Sequence, residues 1–558
     1  MNEIVVSILS AAIDRARAGG KLSSTPAAIG VEAPKDPARG DIASNVAMTM
    51  ARVEGKPPRK IAEIIRDHVQ LPPDVLEISV AGPGFINFRM APAYWHQQIR
   101  HALKDTAAYF RPHKWELRPG AGDRVQVEYL SANPTGPLTV GHGRNAVLGD
   151  TIARLFEGAG FKVTREYYFN DGGRQMKLLG ESVRTRYLEG LGREAQLPED
   201  GYQGEYIREI AQQLFAEHGD KLADSADREI FRKAAVDAIF ADINKTCERL
   251  GIRFDVYANE LDLMKAGKVD AVLKELGDRE LLVERDGAIW LRGEPVGLPK
   301  DEVLVRSGPG GEPTYRTPDI AYHIEKLKAG YDLIVDVFGA DHIAEHQQVI
   351  AAVKALGHDI APVHAIIYQF VTLTRGGEKV KMSTRKATYV TLDELIDEVG
   401  PDVVRFFFLF RKSDSHLDFD LDLARKQAPE NPVFYVQYAH ARLSSIFREA
   451  DKAGLGVPAD AESIKLDLLS AEEIELAKRA IGLPAVMTAA AEALEPHRIP
   501  FYLLDLAGEF HRYYNKPANR IIGPDRDLSI ARLFFAGLLK TAIAAGLGLL
   551  GVSAPERM

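Results

Sequence analysis

Cysteine is nearly absent: Cys247 is the only one in 558 residues, so no disulfide can close within the chain and a thiolate metal site has too few ligands. Cys247 falls in the amphipathic run 234–250, which predicts a small buried hydrophobe rather than a nucleophile. No G-x-x-x-x-G-K-[S/T] occurs, so phosphate capture by a P-loop is excluded. The N-terminus has no basic start and no continuous apolar stretch. Ile4, Val5, Ile8, Leu9, Ala12 and Ile13 recur at helical spacing instead, which does not read as a secretory signal. The longest apolar run, 533–552, is interrupted by Lys540 and diluted by Gly537, Gly546, Gly548 and Gly551. A charge in mid-span costs about 3 kcal/mol on insertion, so the run is expected to be a buried terminal helix pair, not a membrane span, and the chain to be cytoplasmic. Internal repeats are absent. So is an excess of positive charge: 70 Lys and Arg against 79 Asp and Glu leave a net charge of −9, so any nucleic-acid surface must be a local basic patch.

What is present is ordinary globular material, 46% hydrophobic and 27% charged, long enough for about three or four domains. Residues 1–112 read as a small mixed domain with an early helix, a helix near 59–69, and a strand Phe85-Ile86-Asn87-Phe88 entered through Gly82-Pro83-Gly84. A linker rich in proline, glycine and charge follows at 111–123. From residue 120 to 425 strands and helices alternate. A strand at 125–130 leads into the loop Asn133-Pro134-Thr135-Gly136-Pro137, then a helix carrying Val147, Leu148, Ile152, Leu155 and Phe156, then a strand at 161–168. This is a unit of a Rossmann-like parallel sheet, in which loops at the carboxyl ends of strands face ligands. A helical, charged insertion is expected at about 180–300. Another strand (331–339) and helix (344–356) follow, and Thr391 with Glu394 forms a capping box. Residues 426–558 read as an all-α bundle. The fold class is therefore α/β, with an α+β domain before the sheet and helices after it.

Two segments carry chemistry. In SANPTGPLTVGHGR (131–144), Gly136, Gly141 and Gly143 let backbone approach a ligand, and His142 stands at the mouth of a helix after a strand, where polyphosphate is bound. In VKMSTRKA (380–387), preceded by Arg375-Gly376-Gly377, a glycine-flanked basic loop suits charge developing on a departing pyrophosphate. Taken singly, the first is a loop histidine and the second a solvated basic turn.

Taken together and in this order, they resemble the paired signatures of class I aminoacyl-tRNA synthetases, and the surrounding residues resemble the arginyl-tRNA synthetases. The resemblance extends over nearly the whole chain: VEYLSANPTGPLTVGHGR (127–144), YFNDGGRQM (168–176), YRTPDIAYHIEK (315–326), GADH (339–342), VKMSTRKA (380–387), NPVFYVQYAHAR (431–442) and the terminal GVSAPERM. Two positions depart from the pattern: Thr139 replaces the first histidine of HxGH, and Thr384 the second lysine of KMSKS. A hydroxyl carries no imidazolium charge, so Lys381, with Arg385, is expected to supply the positive charge.

The resemblance implies ATP-dependent joining of L-arginine to tRNA(Arg) through arginyl-adenylate, with Mg2+ accompanying ATP and no dedicated protein metal site. The implied signature motif is Ala132, Asn133, Pro134, Thr135, Gly136, Pro137, Leu138, Thr139, Val140, Gly141 and His142. His142, Lys381 and Thr139 would be catalytic, and Gly136, Pro137, Gly141, His142, Asp341, His342, Lys381, Met382, Ser383 and Arg385 would bind ATP. A guanidinium is best told from lysine by paired in-plane carboxylates, and the resemblance gives that role to Glu128 and Asp319, with Tyr315 against the guanidinium and Asn133 on the α-amino group. A site built on such donors rejects analogues by roughly 10⁴ or more, so no editing domain is expected. Phe85, Asn87 and Phe88 would meet the tRNA elbow; Tyr435, Tyr438, Arg442 and Lys516 would meet the anticodon arm. A monomer is expected.

Two other readings compete. His342-Ile343-Ala344-Glu345-His346 matches H-x-x-E-H, the inverted zinc-peptidase signature. Thr139, for its part, would suit a synthetase-like protein that binds tRNA without catalysing.

Overall fold

The computed structural model describes residues 2–32, 34, 36–307, 311–380 and 390–558, so the basic loop residues Lys381, Met382, Ser383 and Arg385 lie outside the described residues. The chain divides into two compact units. One comprises residues 1–109, 446–481 and 513–539, the other residues 110–445, 482–512 and 540–558.

In the first unit, the opening helix Asn2–Ala18 buries Val5, Leu9, Ala12, Ile13 and Ala16, the face that helical spacing predicts. It packs with the helices Val46–Glu54 and Pro58–Asp67 on an antiparallel sheet of order β1-β2-β4-β3, where β1 is Val31–Glu32, β2 Ile42–Ser44, β3 Val75–Ala81 and β4 Phe85–Met90. The expected strand at Phe85 is thus β4. It is entered at Gly84, whose φ of 139° and close approach to the Pro58 backbone (2.8 Å from a notional Cβ) leave room for glycine only. Lys478 joins this unit by pairing with Asp41 at 2.7 Å while lying over the Trp95 ring at 4.8 Å.

The second unit is built on a five-stranded parallel sheet of order β12-β11-β5-β6-β7, with β5 at Arg124–Glu128, β6 at Lys162–Phe169, β7 at Val256–Asn259, β11 at Leu333–Gly339 and β12 at Val363–Tyr368. Two smaller sheets join it: antiparallel β8 (Leu282–Arg285), β9 (Ala288–Leu291) and β10 (Glu302–Val305), and β13 (Val371–Arg375), β14 (Glu378–Lys379) and β15 (Leu417–Asp420). Strand order reverses between β5 and β11, and in open parallel sheets that switch point, at the carboxyl ends, is where ligands sit.

Three sequence expectations need correction. The strand expected to run to residue 130 stops at Glu128, because Leu130 and Ser131 take left-handed φ values of 67° and 40°. The interval 180–300 does not stand outside the sheet. Its helices Glu205–His218 and Glu229–Arg249 are there, but β7 rejoins the sheet as a short edge strand without a readable alternation. The apolar end is one helix, Arg526–Leu549, not a pair. Gly546 lies within the helix and lets Leu503 approach to 2.6 Å of a notional Cβ, so the glycine serves helix packing rather than a break. That helix is long and apolar enough to cross a membrane, yet 61% of its most apolar window is buried within the protein. Cys247 is buried as expected, and burial pushes its thiol up to about 12, so it is no nucleophile.

The terminal motif has a concrete use. Arg405, fully buried, donates to Leu550 O (2.6 Å), Leu250 O (2.8 Å) and Asp150 Oδ2 (2.6 Å), and Gly551 gives its guanidinium room. Asp150 belongs to the helix Val140–Gly158, so this strut fixes the helix that carries His142.

Candidate active site

After Glu128 the chain turns sharply, and the turn is held by side chains. Leu130 N–H donates to Asn145 Oδ1 (2.6 Å), whose amide donates to Val337 O (2.9 Å), while the Tyr167 hydroxyl donates to Ala132 O (2.7 Å). The loop then passes beneath Tyr206, whose hydroxyl donates to Thr135 O at 2.6 Å. A Cβ on Gly136 would come to 3.0 Å of that hydroxyl, so any side chain there would have to displace Tyr206 by a few tenths of an ångström.

Thr139 caps the helix Val140–Gly158. Its backbone N–H donates to His142 Nδ1 at 3.2 Å, and its hydroxyl accepts a long bond, 3.5 Å, from His142 N–H. Thr139 was expected among the catalytic groups. Its hydroxyl caps the helix end, and its backbone N–H positions His142. Because Nδ1 accepts, the neutral ring carries its proton on Nε2. Burial pulls the His142 pKa down to about 4, so at neutral pH it offers an N–H donor, not a cation. Val140 and Gly141 stand in the first turn, where backbone N–H groups find no partner inside a helix.

The basic loop is bracketed by described residues. It leaves after β14, where Val380 N–H donates to Leu373 O at 2.9 Å. It returns beside the first signature: Thr391 bridges to Thr139, and Leu392 N–H donates to Leu138 O at 2.8 Å. The expected capping box Thr391–Glu394 opens the next helix. The described residues that follow the basic loop, Thr391 and Leu392, therefore lie against the first signature.

Carboxylates converge beyond the end of β5. Asp319 lies on the first turn of the helix Arg316–Lys328, where burial first, and then the Glu128 and Glu345 carboxylates, push it up to about 7 against His323 and Lys326. Glu260, opening a helix straight after β7, is likewise pushed to about 7 by burial, Asp319 and Asp171. Asn170 ties this acid group to the signature loop: its side-chain amide donates to Glu260 Oε2 (2.7 Å), and its backbone N–H donates to Asn133 Oδ1 (2.9 Å). Glu128, Asn133 and Asp319 are thus brought together. Tyr315, one turn before Asp319, remains 49% exposed.

Several residues not singled out from sequence also belong here. Glu260, Asp171 and Glu345 add negative potential. The Tyr168 hydroxyl is buried without a hydrogen-bond partner, and its strongest charged neighbours are Asp319, Glu260, Glu128 and Asp171. YFNDGGRQM was a visible motif, but only the sheet shows that its tyrosine faces the acids.

Asp341 and His342 follow Gly339 at the carboxyl end of β11, on the switch-point side, with His342 Nδ1 3.0 Å from Glu345 Oε2. His346 does not join His342; its Nε2 lies 3.6 Å from Asp336 Oδ2, beside His323 at 3.2 Å. The zinc-peptidase pair is therefore not assembled. Among the described residues, His323, Asp336 and His346 could surround a metal, but this nitrogen-rich set is wrong for Mg2+, and Lys326 Nζ already lies 2.7 Å from Asp336 Oδ1.

The other candidates divide. In the first unit, Asn87, Arg39, Arg89, Glu77 and Ser79 line a hollow of about 160 Å³. Phe88 is fully buried in the core, so it is withdrawn as a base-stacking residue, whereas Phe85 is half-buried. Lys516 pairs with Glu472 at 2.6 Å. In the second unit, Tyr435 and Tyr438 gather around His511 with centroids at 4.6 and 5.5 Å, and the Arg442 guanidinium lies 6.0 Å over Tyr438.

Comparison with known proteins agrees with this arrangement. Residues 3–90 match the arginyl tRNA synthetase N terminal domain, 109–405 the catalytic domain of tRNA synthetases class I (R), and 436–558 the DALR anticodon binding domain. The chain is 49% identical over 530 residues to an arginine--tRNA ligase of Desulfotalea psychrophila (95% of this chain, 94% of the relative), and 48% identical over 550 residues to one of Salinibacter ruber (95% and 96%). The solved arginyl-tRNA synthetase of Thermus thermophilus superimposes with a TM-score of 0.75 at 25% identity, covering 100% of both chains.

Proposed function

The chain belongs to the arginyl-tRNA synthetase family of class I aminoacyl-tRNA synthetases, an arginine--tRNA ligase by its relatives, and from that premise we propose how its residues divide the reaction. The observation that carries the reading is the cluster of carboxylates, the half-buried Glu128 and Asp319 foremost, at the sheet's switch point beside the helix end that bears His142. Glu128 and Asp319 take the guanidinium of arginine in plane, Tyr315 closes over it, and Asn133 accepts from the α-amino group. The Tyr168 hydroxyl completes the wall. ATP lies along the turn Gly136-Pro137 and Gly141, with Asp341 and His342 on the β11 side and Lys381, Met382, Ser383 and Arg385 over the phosphates.

The arginine carboxylate attacks the α-phosphate, arginyl-adenylate forms and pyrophosphate leaves, and a terminal ribose hydroxyl of tRNA(Arg) then takes the arginyl group. His142 donates through Nε2–H to the phosphates as charge builds there. Lys381 and Arg385 carry the positive charge that Thr139 and a neutral His142 do not. No protein nucleophile is needed; positioning and charge stabilisation supply the rate. Residues 1–112 meet the tRNA elbow, with Asn87 reading a base, Phe85 stacking on it, and Arg39 and Arg89 near phosphate. Residues 426–558 meet the anticodon arm through Tyr435, Tyr438, Arg442 and Lys516. The protein acts as a cytoplasmic monomer, with Mg2+ carried on ATP.

The test is exchange of labelled pyrophosphate into ATP, with and without tRNA. Arginine-dependent exchange is expected, with no signal from lysine or citrulline. Failure of both exchange and aminoacylation, with tRNA still bound, would leave only the non-catalytic reading.

Arginine affinity should depend on pH in a stated direction. Asp319 and Glu260 sit at about 7. A bound guanidinium favours their ionised forms, so affinity is full above pH 7 and is lost as pH falls through it. The KM for arginine should rise about tenfold between pH 8 and pH 6 for a single such group, and more steeply if both titrate. A flat profile over that range would remove these carboxylates from the pocket.

A further inference from the structure

Parallel register places Asp336 of β11 beside Glu128 of β5, and Glu128 beside Glu166 of β6. Three adjacent strands thus carry carboxylates in one row, an arrangement that repels itself unless a countercharge is supplied. The helix Arg316–Lys328 supplies it. Lys326, 3% exposed, hydrogen-bonds Glu128 Oε2 and Asp336 Oδ1 and lies 4.4 Å over the Tyr322 ring. Tyr322 donates to Glu166 Oε1 at 2.5 Å, and Gln126 donates to the other Glu166 oxygen. The outer oxygen of Asp336 faces His323 and His346.

Glu128 is therefore gripped from outside the pocket at both oxygens, by Lys326 on Oε2 and by the Ser131 hydroxyl at 2.9 Å on Oε1. Each oxygen keeps a second lone pair, so the carboxylate can still receive a guanidinium, but its plane is set beforehand.

We propose that Lys326 is the positioning residue of the arginine pocket, holding Glu128 correctly oriented, with Asp336 as the second anchor of its ammonium group. It acts through Glu128 and does not touch substrate. The proposal rests on the reading of Glu128 as a guanidinium partner.

The experiment is a cycle of Lys326→Met, Glu128→Gln and the double variant, read by calorimetric arginine binding to the full-length enzyme and by the KM for ATP. Lys326→Met should weaken arginine binding by about tenfold or more with the KM for ATP changed less than about twofold, and the double variant should bind no worse than Glu128→Gln alone. Multiplying losses, or unaltered binding in Lys326→Met, would overturn the proposal. A Glu128→Gln enzyme that binds arginine normally would instead strike the Glu128 assignment itself, which sets that failure apart. Should Lys326→Met not fold, Lys326→Met/Asp336→Asn removes the buried base and acid together. Weak arginine binding should persist in it, because Glu128 has still lost its anchor. Restored wild-type binding would mean that Lys326 merely neutralises Asp336, and would overturn the proposal as well.

Discussion

Asp319→Asn and Glu128→Gln should each raise the KM for arginine by roughly 30- to 1000-fold, the range for removing one charged partner from a desolvated pair worth about 2–4 kcal/mol. The KM for ATP should hardly move, because the proposed ATP site is the signature turn rather than the acid cluster. The two changes keep shape and remove charge, so the loss reports the electrostatic grip on the guanidinium. Asp319→Asn should also flatten the rise in KM between pH 8 and pH 6, since it removes one of the two groups sitting at about 7. It should lower the pKa of what remains: Asp319 is the first charged neighbour that pushes Glu260 up, and without it Glu260 ionises more readily. Steady-state kinetics at three pH values decides the matter. An unchanged KM for arginine in both variants would show that the guanidinium binds elsewhere.

The legible part of this site was the part that lies close together in sequence. The loop at 131–144 with its glycines, the capping box at Thr391, and a Tyr315–Asp319 pair one helical turn apart are all local patterns, and the structure keeps each of them. Glu128 and Asp319 could be paired only through a family resemblance, since 190 residues of chain separate groups that no periodicity connects. Lys326, Asp336 and Glu166 were invisible for the same reason. Each is unremarkable in its own element, and only strand register sets the acids in one row beneath the lysine. Thr139 was legible as a departure but not as a cap, because its meaning depends on which atom of His142 its backbone N–H reaches. Among larger features, β7 escaped because a four-residue edge strand has too few residues for alternation. The final helix reads as a pair because glycines dilute it, yet Gly546 is the one that packing against Leu503 requires.

His142→Ala should lower kcat by about 10²- to 10³-fold, the cost of losing one preorganised donor to a developing anion, while arginine affinity stays near normal. The division follows from position: His142 is on the helix end proposed to face phosphate, and the acid cluster that would hold arginine is approached from β5, β6 and β7. The imidazole is already neutral, with its pKa drawn down to about 4 and its Nδ1 occupied by the Thr139 N–H. Two further outcomes follow. The kcat profile should show no step near pH 6.5, where an ordinary histidine would lose its charge, and should fall only as pH drops toward 4 and the ring protonates. His142→Asn, which keeps an N–H donor but no titrating ring, should recover part of the loss, whereas Thr139→Ala should cost only about 1 kcal/mol of helix capping because the backbone N–H that fixes the tautomer remains. Single-turnover measurement of adenylate formation separates this chemistry from tRNA transfer and product release. A His142→Ala enzyme that loses arginine affinity and turnover in equal measure would place His142 in ground-state binding, and the donor role would have to pass to the backbone N–H groups of Val140 and Gly141.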